Sequence, residues 1–198
     1  MVAAYHLIWT IYGVWLPNDP RGSGSKEIRS SVLEELGEIH YGRKKVQPSS
    51  AVLRRFYKEA SPKLKHDIIT FTDEEIEIVA KAFADTIRAR KYTCYGCAIM
   101  PDHVHLLIRK HRDKAEEMIS FLQDDSWTAI MESKRWPSDH PVWGGPGWKV
   151  FLDTCEDIER TVLYIDDNPV KAKRPRQHWE FVQKYDGWLP GLGAKKNG

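Results

Sequence analysis

The stretch Ile99-Met100-Pro101-Asp102-His103-Val104-His105-Leu106-Leu107-Ile108 decides how this chain is read. Pro101-Asp102 is a turn signal set between two apolar runs, Tyr92 to Ile99 and His103 to Ile108. That arrangement reads as two antiparallel strands joined by a tight connection. Side chains alternate along a strand, so His103 and His105 share one face while Val104 and Leu106 take the other. At roughly 3.3 Å per residue the two imidazoles stand about 7 Å apart along the strand, close enough to share one metal ion.

Working outward, Tyr5 to Tyr12 is aromatic and β-branched and reads as a buried first strand. Gly13 to Gly24 is loop chemistry, rich in Gly, Pro, Asn and Asp. Thr72 and Glu75 have capping-box spacing, and Ile76, Val79, Ala80, Phe83 and Ile87 repeat with helical period behind them. A second amphipathic helix is expected over 113–133, and a short strand over Trp148 to Leu152. A third helix begins near Glu156 and runs to Asn168, where Pro169 should stop it. The order is βαββαβ with an added helix, an α+β, ferredoxin-like sandwich around a central antiparallel sheet. The first and third strands are expected at its centre, which seats the histidine pair on a rigid strand. The whole chain, 1–198, reads as one domain, with 18–70 a basic insertion after the first strand and 171–198 a C-terminal tail.

The 198 residues are 41% hydrophobic and 29% charged with a net charge of +2, so overall charge does not announce a nucleic-acid binder. The distribution says more. Between Lys26 and His66 stand ten basic and five acidic side chains, including Arg29, Arg43, Lys44, Lys45, Arg54 and Arg55. A second basic cluster, Lys171, Lys173, Arg174 and Arg176, follows Asn168-Pro169. Both are candidate phosphate contacts. The three cysteines include Cys94 and Cys97, but no second C-x-x-C completes a zinc site. On a regular strand these two face opposite sides, and all three are expected to be reduced. No basic segment with an apolar core opens the chain and no apolar run reaches about 18 residues. The expectation is a cytoplasmic, nucleoid-associated protein, neither secreted nor membrane-spanning.

Tyr164 and Asn168 are four residues apart, one turn of the third helix. Two imidazoles and a carboxamide oxygen can hold a divalent cation with positions left open for phosphodiester oxygens. A phenol beside them can attack phosphorus, provided it is activated, since an ordinary phenol has a pKa of about 10. A His/His/amide-oxygen set without thiolate suits a hard cation, Mg²⁺ or Mn²⁺. Asp102, Asp166 and Asp167 are further carboxylate candidates. Of these, Asp167 ranks behind Asn168, and Asp166 points away from Tyr164.

The runs MPDHVHLLI and LYIDDNPVKA together resemble the IS200/IS605-type single-strand transposases, and in particular the REP-associated tyrosine transposases of the HUH nuclease superfamily. The resemblance spans about Tyr5 to Lys173. It implies that His103 and His105 are metal ligands, that Asn168 is the third ligand, and that Tyr164 is the nucleophile. The implied activity is a metal-dependent single-stranded DNA endonuclease and strand transferase with a 5′-phosphotyrosine intermediate, acting in transposition or palindrome processing. The implied partner is a single-stranded hairpin or imperfect palindrome, bound by a monomer or a homodimer. Two other classes share features of the chain. Histidine-triad hydrolases need a third histidine where Leu107 stands. A non-catalytic ferredoxin-like binding module would stack bases on strand aromatics, here Tyr5, Trp9, Tyr92 and Tyr95.

Overall fold

The computed structural model describes residues 1–28 and 30–191; Arg29 of the basic segment and residues 192–198 of the tail lie outside the described residues. Four strands, β1 (Ala4–Thr10), β2 (Cys94–Ile99), β3 (His103–Arg109) and β4 (Trp148–Leu152), form one antiparallel sheet in the order β2-β3-β1-β4. The two central strands are β1 and β3, as the βαββαβ order requires, and Ile8 pairs with His105 and Thr10 with His103. Among the described residues no helix is long and apolar enough to cross a membrane.

One sheet face is apolar by alternation. Leu7 and Trp9 of β1 and Val104, Leu106 and Ile108 of β3 are buried against two long helices. Two short helices, α1 (Ser31–Glu34) and α2 (Ser50–Ala60), lie between β1 and the first of the long ones, α3 (Asp73–Arg90) and α4 (Ala115–Glu132). The expected capping box starts α3, with Thr72 accepting from Glu75 N and Glu75 accepting from Thr72 N. A small apolar cluster joins Leu16, from the loop after β1, to Phe56 and Ala60 of α2.

The other face carries α5 (Cys155–Asp166), which buries Ile158 and Ile165 against Tyr95, Ala98 and Leu107. Gly96 of β2 faces Ile165 of α5. A Cβ there would make ordinary contact with Ile165 Cδ1 at 3.4 Å, and the strand is bulged between Cys94 and Gly96. The same bulge corrects the expectation for the cysteines. The extra residue resets the alternation, so Cys94 and Cys97 both enter the core with α3 and α4. Both are free and buried, and desolvation pushes the Cys94 thiol up to about 12.

Pro169 also behaves differently from expectation. The third helix closes at Asp166, and Asn168 opens a further turn, α6 (Asn168–Lys171), with Pro169 in its first turn. There its missing N–H is not needed, and its fixed φ suits a helix start. Beyond α6 the chain returns along the outer edge of β2. Gln177 bonds the Ile99 N–H and C=O through its side chain (2.8 and 2.7 Å), and Gln183 N donates to Cys94 O. An otherwise open sheet edge is thereby covered.

Candidate active site

A cavity of about 780 Å³ opens between the α5 face of the sheet, the loop that follows β1, and the glycine-rich 144–147 turn. His103, His105, Tyr164 and Asn168 all line it. Four residues from two distant stretches of sequence therefore meet in one place. His103 and His105 lie side by side on β3 with ring centroids 5.0 Å apart. The Tyr164 ring stands edge-on to His105 at 5.4 Å. Tyr164 keeps 45% of its surface exposed while its neighbour Ile165 is fully buried. One step of the helix turns the phenol away from the packed face and into the cavity mouth. Asn168 donates through Nδ2 to the Tyr164 carbonyl (3.1 Å), which ties the α6 turn to the end of α5 and leaves Oδ1 as the donor atom for a ligand.

The hydrogen bonds of the histidines fix which nitrogens are free. His103 Nδ1 donates to Asp102 Oδ1 at 2.7 Å. His105 Nδ1 meets His6 Nε2 across the β1–β3 ladder at 3.0 Å. Each β3 imidazole has its Nδ1 engaged, so Nε2 is the nitrogen left for a cation. This is the arrangement in which a ligating histidine is oriented from behind by a carboxylate or another acceptor. Burial pushes His105 down to about 2, with His103 and His6 adding to the effect, and pushes His6 down to about 4. Both rings are neutral at physiological pH, the form a metal takes. The hydrogen bond from His103 holds Asp102 below the usual carboxylate range, with a smaller contribution from Arg21. Among the described residues no cluster of three or more His, Cys, Asp or Glu side chains is arranged to hold a metal. The side chains in this cavity that could offer a cation neutral nitrogen or amide oxygen donors include the Nε2 atoms of His103 and His105 and the Asn168 amide oxygen.

The carboxylate alternatives separate. Asp167 is engaged by Arg176 at 2.7 Å. Asp166 lines a different cavity of about 480 Å³ on the far side of α5. Only Asp102 shares the Tyr164 cavity.

The basic candidates separate too. Arg43 lines the cavity. Lys44 follows it in a loop hydrogen-bonded to Arg21 O, and Lys45 is exposed. Arg54 and Arg55 are exposed on α2, where Arg55 pairs with Glu59, and neither lines the cavity. Lys171 places its Nζ 5.0 Å from the Tyr164 ring centroid. Arg174 is paired with Asp73 and Arg176 with Asp167, while Lys173 is exposed at a left-handed backbone position. The aromatics a base-stacking sheet would need are unavailable for it: Tyr5, Trp9, Tyr92 and Tyr95 are all buried.

Two contributors escape a reading of the sequence. His6 sits in an ordinary-looking strand, and its partner is 99 residues away. Its only signal is position: β1 alternates Leu7 and Trp9 inward, so His6 falls on the face that the β3 histidines share. The second is Arg21, in a loop whose composition announces only turns; it reaches the cavity wall beside Trp15.

No protein-family model matches the sequence, and no curated protein matches it. Among solved structures, the chain is similar to a REP-associated tyrosine transposase bound to a REP hairpin. That match has 12% identity and a TM-score of 0.45, over 86% of this chain and 68% of that one. It is also similar to a Deinococcus radiodurans R1 protein assigned as a transposase, with 13% identity and a TM-score of 0.40, over 88% and 92% of the two chains. The fold and the chemistry of this chain rest on its own strand order and side chains.

Proposed function

We propose that this protein is a metal-dependent, single-stranded DNA endonuclease and strand transferase that works through a covalent link to Tyr164. The observation that carries the reading is the shared cavity, in which an exposed phenol stands 5.4 Å from one of two adjacent imidazoles whose Nδ1 atoms are both engaged, leaving Nε2 without a partner among the described residues. The set would be completed by Asn168, and the cation it suits is Mg²⁺ or Mn²⁺. When bound, such a cation neutralises charge on the non-bridging oxygens of a phosphodiester and polarises phosphorus.

The chain's own groups do the rest. Tyr164 Oη attacks phosphorus, the Oη–P bond forms, and the P–O3′ bond breaks. The phenol proton leaves to solvent at the exposed cavity mouth, and the departing 3′ oxygen takes up a proton. A 5′-phosphotyrosine and a free 3′-OH result. Attack by a 3′-OH on that link reverses the exchange, so rejoining consumes no nucleotide cofactor. The α5 contacts of Ile158 and Ile165 hold the nucleophile in place, and Lys171 offers a positive charge beside the ring. The substrate class is single-stranded DNA in hairpin or imperfect-palindrome form, processed in transposition or a related rearrangement.

The test is retention of label from single-stranded hairpin oligonucleotides on detergent-denatured protein. Label is expected to be retained in Mn²⁺ and lost in chelator. Retention of none across a broad hairpin panel removes the proposal.

A further inference from the structure

Arg21 is the most constrained cation in the cavity wall. Its Nε and Nη2 bond the two carboxylate oxygens of Asp19 at 2.8 and 2.7 Å, and the Asp19 side chain is fully buried. Its guanidinium lies over Trp15, 3.8 Å from the ring centroid, and Trp15 is itself tied to Gly22 O through Nε1 (2.7 Å). Tyr57, from α2 of the insertion, hydrogen-bonds Asp19 and approaches Arg21 Nη2 at 3.3 Å. The loop turns at Gly22, at φ +91°, where a Cβ would stand 1.9 Å from Gly42 O. Only glycine fits there.

A buried carboxylate, an indole and a phenol therefore fix one guanidinium, while Nη1 has no partner among the described residues and 24% of the side chain stays exposed. An arginine used only to neutralise Asp19 has no need to face the cavity that holds His103 and Tyr164. A fork held on one edge presents its other edge to a planar or tetrahedral anion.

We infer that Arg21 is an oxyanion clamp for the phosphodiester at Tyr164, and that the insertion, through Tyr57, is the strut that holds it in position. This rests on the DNA-cleaving function proposed above and adds to it the group that grips the reacting phosphate from the protein side. The clamp acts on charge that grows at phosphorus, where one preorganised donor is worth about 10²- to 10³-fold in rate.

The experiment compares wild type, Arg21→Ala and Arg21→Lys, with Arg88→Ala, on the outer face of α3, as a surface control. On hairpin DNA that wild type cleaves, Arg21→Ala is expected to slow cleavage by about 100-fold, and Arg21→Lys to recover part of it. On the same hairpin with a neutral methylphosphonate at the mapped scissile linkage, the Arg21→Ala effect is expected to shrink to about threefold or less. A merely structural role would slow both linkages equally, and that result overturns the inference while leaving the Tyr164 chemistry standing. A binding arm decides the matter if no hairpin is cleaved. Anisotropy with a twelve-residue oligothymidylate in chelator is expected to show weaker binding by Arg21→Ala and a salt slope flatter by about one. Affinity and slope equal to wild type overturn the clamp whatever the fate of the cleavage reading.

Discussion

His6 Nε2 and His105 Nδ1 lie 3.0 Å apart across the two central strands of the sheet, both residues being buried. The contact determines which His105 nitrogen is presented to the cavity, and it does so from a strand that carries no other part of the proposed donor set. His6→Ala should weaken Mn²⁺ binding by about 10- to 100-fold, the scale on which outer-shell partners of a ligating histidine act. Calorimetric titration of Mn²⁺ reads this directly, and an unchanged affinity would mean that His105 needs no such support.

Asn168 reaches the cavity from the first turn of α6, with its Nδ2 held by the Tyr164 carbonyl. Asn168→Ala should lower Mn²⁺ affinity by at least about tenfold. Asn168→Asp, which keeps an oxygen donor, should lose much less. Full affinity in Asn168→Ala together with a loss in Asp102→Asn would transfer the third position to Asp102.

Arg43 faces the cavity, whereas Arg54 and Arg55 stand on α2 outside its lining. Single-stranded DNA binding by Arg43→Ala should be weaker, with a salt slope flatter by about one. The double change Arg54→Ala/Arg55→Ala should leave the slope near that of wild type. Equal effects from the two variants would show that the strand also runs over α2.

Gln177 satisfies both backbone groups of Ile99 on the outer edge of β2. Gln177→Leu removes both bonds at a residue that is fully buried. The cost should be about 1–3 kcal/mol, because the abandoned N–H and C=O keep their desolvation penalty. Urea denaturation measures it; a change below about 0.5 kcal/mol would mean that water replaces the amide freely.

Much of the architecture is legible in the residues because it is local. Alternation in His103 to Ile108, the Thr72–Glu75 box and the short apolar strand Trp148–Leu152 each specify their element within a few positions. The element order then dictates the sheet order. Features that need a partner far along the chain are not legible this way. His6 is one strand residue among several until the β1–β3 register sets it opposite the histidine pair. Arg21 belongs to a turn-rich loop until Asp19, Trp15 and Tyr57 fold around it. Cys94 and Cys97 share one side because a bulge between Cys94 and Gly96 shifts the alternation, and bulges leave little trace in composition. Pro169 misleads for a related reason: the same ring that ends one helix is welcome at the start of the next.

The central claim is that Tyr164 carries the broken strand. Wild-type protein incubated with labelled single-stranded hairpin DNA and Mn²⁺, then digested and mapped by mass spectrometry, should yield one peptide bearing a 5′-nucleotide phosphate on Tyr164. Tyr164→Phe should fold and bind the same DNA yet give no adduct. Attachment at another residue, or undiminished cleavage by Tyr164→Phe, would contradict the account.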